Sequence, residues 1–302
     1  MIDIPKTNGF FEVEEDTESI LCVNSLPWPR KEWVELQTDQ NDVCGGKGLN
    51  QSIALAKAGA DVYHAGCVGV GGERLIQKLE ANHVDVTYIE RVEELQGNAI
   101  IQVDKSGENS ILLFGGSNQV IYPEQIAKVL TDFGEGDYII LQNETSCLRE
   151  MISYASQKKM KIVLNPSPFE ESLRDLDYNA VSWLLVNEVE AAQISGEAQP
   201  EAAWRVMHEK FPSLNMVITM GGAGSVCYTP EEVFVQPAYK VEAVDTTAAG
   251  DTFAGYFLAS IMMGKPIPVC MEWAAKASTI SVQRHGAADS IPAAEEIFGN
   301  AV

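Results

Sequence analysis

Apolar and polar positions along this chain follow two rhythms, and the change from one to the other marks out its elements. From residue 123 onward, short apolar runs alternate with stretches of helical period. The pattern predicts helix 123–132, strand 138–142, helix 147–158 and strand 161–165. Strand 183–186, helices 188–194 and 200–210, strand 215–220, a hairpin across 225–240 and a closing helix 268–284 follow. Earlier, residues 44–60 open with Gly-Gly-Lys-Gly and continue as a helix, with Leu49, Ile53 and Ala56 on one side and Gly59 at its end. Strand 61–69, helix 73–82 and strands 85–89, 98–103 and 110–114 come next, the last two joined by the turn-rich Asp104-Lys-Ser-Gly-Glu-Asn. Strand alternating with helix predicts an α/β fold: a mainly parallel sheet with helices on both faces.

One stretch stands apart. In residues 241–255, Val-Glu-Ala-Val-Asp-Thr-Thr-Ala-Ala-Gly-Asp-Thr-Phe-Ala-Gly, a β-type run over 239–244 meets small residues and then a helix carrying Phe253, Phe257 and Ile261 on one face. Gly264 and Pro266 stop that helix. Small residues at a strand-to-helix junction let backbone N–H groups approach an anion, and the helix dipole favours negative charge there. A carboxylate at such a place would repel a bound phosphate unless it has a use. As a general base, Asp251 would take the proton of a hydroxyl that attacks a phosphoryl group held by those N–H groups. The plainer reading makes Asp251 an ordinary acid of a helix's first turn.

Composition narrows the class. With 302 residues, 46% hydrophobic and 21% charged, the chain suits one large soluble α/β domain. A net charge of −22 argues against nucleic acid or an anionic membrane as partner. A phosphorylated ligand is compatible, because a helix N-terminus, a lysine or a metal ion supplies positive potential locally. Six cysteines without a C-x-x-C pair point to neither a metal site nor a disulfide framework, hence to a reducing, cytoplasmic setting. No apolar run reaches membrane-spanning length and the N-terminus is acidic, so neither a span nor a signal peptide is expected.

Ligands of parallel sheets gather beyond the carboxyl ends of the strands. Polar clusters stand at those places: Glu144 after strand 138–142, Asn165-Pro166 after the next, Asn187 and Glu190 after strand 183–186. Glu190 is three residues past Asn187, so both fit one helical turn and can reach a hydrated Mg²⁺; an exposed helix start explains Glu190 as well. Thr219-Met-Gly221-Gly222-Ala-Gly224 offers a nucleotide a wall free of side chains. Gly45-Gly46-Lys47-Gly-Leu-Asn50 combines close backbone approach, a positive charge and an amide suited to hydroxyls, and it is not a Walker A loop.

Taken in this order, these motifs resemble the ribokinase-like carbohydrate kinases, and the Ala-Ala-Gly form before Asp251 resembles the ribokinase branch. The resemblance runs from about residue 25 to 294 and includes Ser281-Val-Gln-Arg-His-Gly-Ala-Ala-Asp-Ser290. It implies ATP-dependent phosphorylation of a primary hydroxyl on a small, ribose-like sugar. Asp251 would be the base and the N–H groups of Ala248, Ala249 and Gly250 the anion hole. Gly45, Gly46, Lys47, Asn50 and Glu144 would hold the sugar. Asn187, Thr219, Gly221, Gly222, Gly224 and Gly250 would border ATP, and Glu190 would organise Mg²⁺. Asp245, Thr247, Ser281, Arg284, Gly286 and Ser290 match the positions that enclose K⁺.

The family also implies one kinase domain over 1–302 with a small β-sheet lid, here from about 10–43 and 97–116, and a homodimer formed through it. Residues 1–25 depart from the pattern. They contain no hydrophobic strand leading to Gly-Ser/Asp-x-Asn-x-Asp, whose final Asp grips two sugar hydroxyls, and Glu18 is the nearest acid by spacing. Arg30-Lys31-Glu32 replaces the usual Gly-Glu-Thr, and Val68-Gly-Val-Gly-Gly72 lacks its customary Asp. Two other readings follow: a kinase for a nucleoside or keto-hexose, or a sugar- or nucleotide-binding protein that kept the fold without turnover.

Overall fold

A computed structural model describes residues 44–103 and 109–299 of the chain. The elements in chain order are α1 (Lys47–Lys57), β1 (Tyr63–Val70), α2 (Glu73–Glu80), β2 (Asp85–Leu95), β3 (Asn98–Val103), β4 (Asn109–Phe114), α3 (Pro123–Val129), β5 (Tyr138–Gln142), α4 (Leu148–Gln157) and β6 (Lys161–Asn165). They continue with β7 (Val181–Asn187), α5 (Glu188–Ser195), α6 (Pro200–Lys210), β8 (Asn215–Thr219), β9 (Ser225–Tyr228), β10 (Val233–Gln236), α7 (Ala249–Met262), α8 (Ile267–Ser281) and α9 (Ala294–Phe298). All the elements that position the site belong to a unit of residues 41–101 and 111–302. The segment 10–43, expected to help form a lid, lies outside the described residues, and so does Glu18.

The main sheet has the order β10-β9-β8-β7-β6-β5. Strands β5 to β8 are parallel, while β9 and β10 return antiparallel at one end. The parallel strands read as unbroken apolar runs because both their faces are covered. Along β6, Ile162, Val163 and Leu164 are all fully buried. Val163, Leu185 and Val217 point into a core built with α1, α7 and α8. Their neighbours Leu164, Leu184 and Ile218 join the opposite core, with α4, α5 and α6. The expected layering is therefore present. Strands β1 and β2 pair in parallel as a separate two-stranded sheet, and β3 pairs with β4.

Two expected details change. Strand β2 runs on to Leu95 rather than ending near residue 89, and of the added residues only Val92 is not exposed. The β-type run expected over 239–244 is irregular. Strand β10 stops at Gln236, before Pro237, which has no N–H for a ladder. The backbone N–H groups of Val244 and Asp245 instead both donate to the Val282 carbonyl, at 2.7 and 3.1 Å. The segment leading to α7 is thus tied to the end of α8 and not to the sheet.

Helices α1 and α7 pack closely. A Cβ on Gly255 would lie 2.3 Å from the Ala54 Cβ, so only glycine permits this approach. Gly255 sits one turn after Asp251 and Ala54 one turn after Asn50 and Gln51. The contact therefore sets the first turns of the two helices against each other.

Candidate active site

Asp251 lies in the first turn of α7 and is buried, with 7% of its surface exposed. Its carboxylate accepts two amide N–H bonds from α1: Asn50 Nδ2 donates to Oδ2 and Gln51 Nε2 to Oδ1, each at 2.9 Å. Asn50 Oδ1 is buried and has no protein partner. Ala248 takes the N-cap position in the left-handed region, at φ 60°. Ala249 N–H turns back to the Thr246 carbonyl at 3.2 Å, and helical bonding begins with Thr252 N–H donating to Ala248 O. Among the described residues the N–H groups of Gly250 and Asp251 join no backbone bond. They are the donors a helix start leaves for an anion. Of the three residues expected to form the anion hole, Ala249 thus has its N–H already occupied.

Glu144, two residues past β5, accepts the Lys47 backbone N–H at 3.1 Å and so caps the start of α1. Burial pushes its carboxyl above the usual glutamate value, Lys47 opposes this, and the Asp251 charge adds to it. Gly46, the N-cap of α1 at φ 114°, adopts a backbone that suits glycine, and a Cβ on Gly45 would press on Ala287 at 3.3 Å. Asn50, Glu144 and Asp251 are thus linked through the start of α1.

A cleft of about 370 Å³ opens beside Asp251, lined by Lys47, Asn187, Glu190, Thr219, Gly221 and Gly250 among others. Asn187 and Glu190 form a reciprocal cap on α5: Glu190 N–H donates to Asn187 Oδ1 at 2.8 Å, and Asn187 N–H to Glu190 Oε2 at 3.0 Å. Lys47, grouped with the sugar residues by sequence, lines the same cleft as these residues. Gly224 has a different task. At φ 98° it closes the β8–β9 turn, where a Cβ would lie 2.2 Å from the Gln236 carbonyl oxygen. Gly222 is exposed on that turn.

The residues matched to K⁺ divide into two groups. Asp245 joins the two segments: Thr247 N–H donates to its Oδ1 and Gly286 N–H to its Oδ2, both at 2.9 Å. Burial raises its carboxyl, but hydrogen bonds from Thr247 and Gly286, together with the His285 charge, outweigh burial and hold it below the usual aspartate value. Ser281 and Ser290, by contrast, are buried and bonded to one another, Oγ to Oγ at 2.8 Å. The Arg284 guanidinium pairs with Glu296.

Sequence reading missed Gln51 and Gln142. Gln142 Nε2 donates to Gln51 Oε1 at 2.7 Å, and Gln51 Nε2 also donates to Asn165 Oδ1 at 3.1 Å. The available signal was a polar residue three and four positions before Ala54 and Leu55, on the apolar stripe of α1.

Comparison with known proteins establishes the family. The model of the pfkB family of carbohydrate kinases matches residues 17–294. This chain is a pfkB family carbohydrate kinase. Its chemistry is ATP-dependent phosphorylation of a sugar. The kinase is similar to the ribokinase of Staphylococcus aureus, 31% identical over 276 residues that cover 88% of this chain and 90% of that one. It is also similar to the deoxyribokinase of Salmonella typhi, 31% identical over 266 residues, 84% and 86% of the two chains. Among solved structures, the ribokinase of Cryptococcus neoformans in complex with ADP matches with a TM-score of 0.77 and 32% identity, over 85% of this chain and 88% of that one.

Proposed function

We propose that this kinase transfers the γ-phosphoryl group of ATP to a primary hydroxyl of ribose or a close relative, with Asp251 as general base. The observation that carries the reading is the buried Asp251 carboxylate at the start of α7, beside the unbonded N–H groups of Gly250 and Asp251. In phosphoryl transfer most of the catalysis is positioning and charge stabilisation, and this junction provides both. Asp251 takes the hydroxyl proton as the oxygen attacks, and the N–H groups receive the charge that builds on the phosphoryl oxygens. Asn50 and Glu144 hold sugar hydroxyls. The orphaned Asn50 Oδ1 supports this, since a buried acceptor without a partner costs stability until a ligand donor reaches it. Asn187, Thr219 and Gly221 border the nucleotide in the cleft.

The donor set also bears on the metals. Among the described residues no three Asp, Glu, His or Cys side chains converge, so a cage of protein carboxylates for Mg²⁺ does not fit. A Mg²⁺ that arrives on ATP and keeps its water does fit, with Glu190 holding that water; such an ion neutralises phosphate charge. For K⁺, an Asp245 carboxylate kept ionised between two backbone segments fits a cation held largely by carbonyl oxygens. We further propose that the kinase acts as a homodimer.

A second reading, a deoxyribose substrate, is favoured by the deoxyribokinase relative at the same identity and by the departure in residues 1–25. The test is ADP release with Mg-ATP and a panel of ribose, deoxyribose, fructose and adenosine, each in KCl and in NaCl at equal ionic strength. Highest kcat/KM on one of the two pentoses, and faster in K⁺, is expected. Turnover only on adenosine or fructose would overturn the substrate, and equal rates in both salts would overturn the K⁺ site.

A further inference from the structure

Behind Asp251 lies a line of neutral amides with only one consistent polarity. Asn165, at the end of β6, donates its Nδ2 to the Leu185 carbonyl at 2.8 Å, which leaves its Oδ1 facing Gln51 as an acceptor. Gln142, at the end of β5, donates Nε2 to Gln51 Oε1. Gln51 therefore accepts at its oxygen, and both its N–H bonds are directed outward, one to Asn165 and one to Asp251 Oδ1. Reversing the Gln51 amide would set oxygen against oxygen at two places and nitrogen against nitrogen at a third. Gln51 is 2% exposed. An apolar side chain of its size would pack there without needing partners, and buried amides are favourable only when every bond is made.

Resting on the reading of Asp251 as base, we propose that Gln51 is a positioning residue for that base, with Asn165 fixing its polarity and Gln142 holding its oxygen from β5. The relay fixes the carboxylate plane through Oδ1, while Asn50 holds Oδ2. Each oxygen keeps a lone pair for the incoming hydroxyl. Neither glutamine touches substrate. Their effect is confined to the orientation and charge of one carboxylate, and it is felt in the chemical step rather than in binding.

The experiment measures single-turnover phosphoryl transfer, calorimetric affinities for ribose and ATP, and Tm. It compares wild type with Gln51→Met, Gln142→Met, Gln142→Glu, Asp251→Asn and the double variant Asp251→Asn/Gln51→Met. Loss of a hydrogen bond to a charged group corresponds to about ten- to a hundredfold in rate. Gln51→Met should slow transfer by that factor with both affinities unchanged. Gln142→Glu should be slower than Gln142→Met, because a carboxylate there draws the Gln51 N–H away and turns its oxygen toward Asp251. In the Asp251→Asn background, Gln51→Met should have no further effect. Wild-type transfer in both Gln51→Met and Gln142→Glu, with Asp251→Asn inactive, would overturn the relay alone. So would a Gln51→Met effect that appears only as lower Tm or weaker binding, or that adds fully to that of Asp251→Asn. Wild-type transfer in Asp251→Asn would instead overturn the base assignment beneath it.

Discussion

Glu144 is held in two conflicting ways. Burial and the nearby Asp251 charge disfavour its ionised form, while the start of α1 at Lys47 favours it, and the first effect wins. Its folded pKa is therefore above its unfolded value. As pH rises from the ordinary glutamate value through the folded one, the native chain keeps a proton that the unfolded chain has lost, so stability falls across that window and stays lower above it. Glu144→Gln removes this liability and can still accept the Lys47 N–H. Its Tm should exceed that of wild type at about pH 7.5 and converge with it near pH 4. Ribose affinity should weaken about tenfold, since the charge-assisted bond is gone. A Tm difference that is constant with pH would show that burial does not govern this carboxyl.

At the scale of elements, the cap joining β7 to α5 serves two purposes that substitution can separate. Asn187 and Glu190 satisfy each other's backbone N–H groups, and both line the cleft. Glutamine also completes a capping box. Glu190→Gln should therefore leave Tm within about 1 °C while raising several-fold the Mg²⁺ concentration for half-maximal rate. Asn187→Ala should cost about 1 kcal/mol of stability. A Mg²⁺ titration of Glu190→Gln identical to wild type would make Glu190 a cap only. Elements also show where the sequence was legible. The parallel core could be read because strands buried on both faces are unbroken apolar runs, as Ile162–Leu164 are. The run at 239–244 misled because alternation alone cannot reveal that a strand lacks a partner: Tyr239, Val241 and Val244 are 39–49% exposed. Gln51 was missed because a period counts apolar positions, and a buried amide looks like a gap in it. Gly255 was legible as part of a motif, but its contact with Ala54 depends on a helix some 200 residues away in sequence.

For the whole molecule, parallel pairing from β5 to β8 brings Gln142, Asn165, Asn187 and Thr219 to one rim of the sheet, although they span residues 142 to 219. Across that rim, α7 places Asp251 against an Asn50 that is 201 residues distant in the chain. On the proposed reading, a chain with net charge −22 receives a polyanionic nucleotide there, so the local donors at the start of α7 and Lys47 must outweigh the average field. On the proposed mechanism this junction moves a proton as well as binding its ligands. The most direct test is single-turnover transfer from Mg-ATP to ribose by wild type and Asp251→Asn, with both affinities measured by calorimetry. Transfer should be slowed on the order of 10²–10⁴ in the variant, with ribose and ATP affinities within about threefold of wild type. An Asp251→Asn protein that phosphorylates ribose at the wild-type rate would contradict this mechanism.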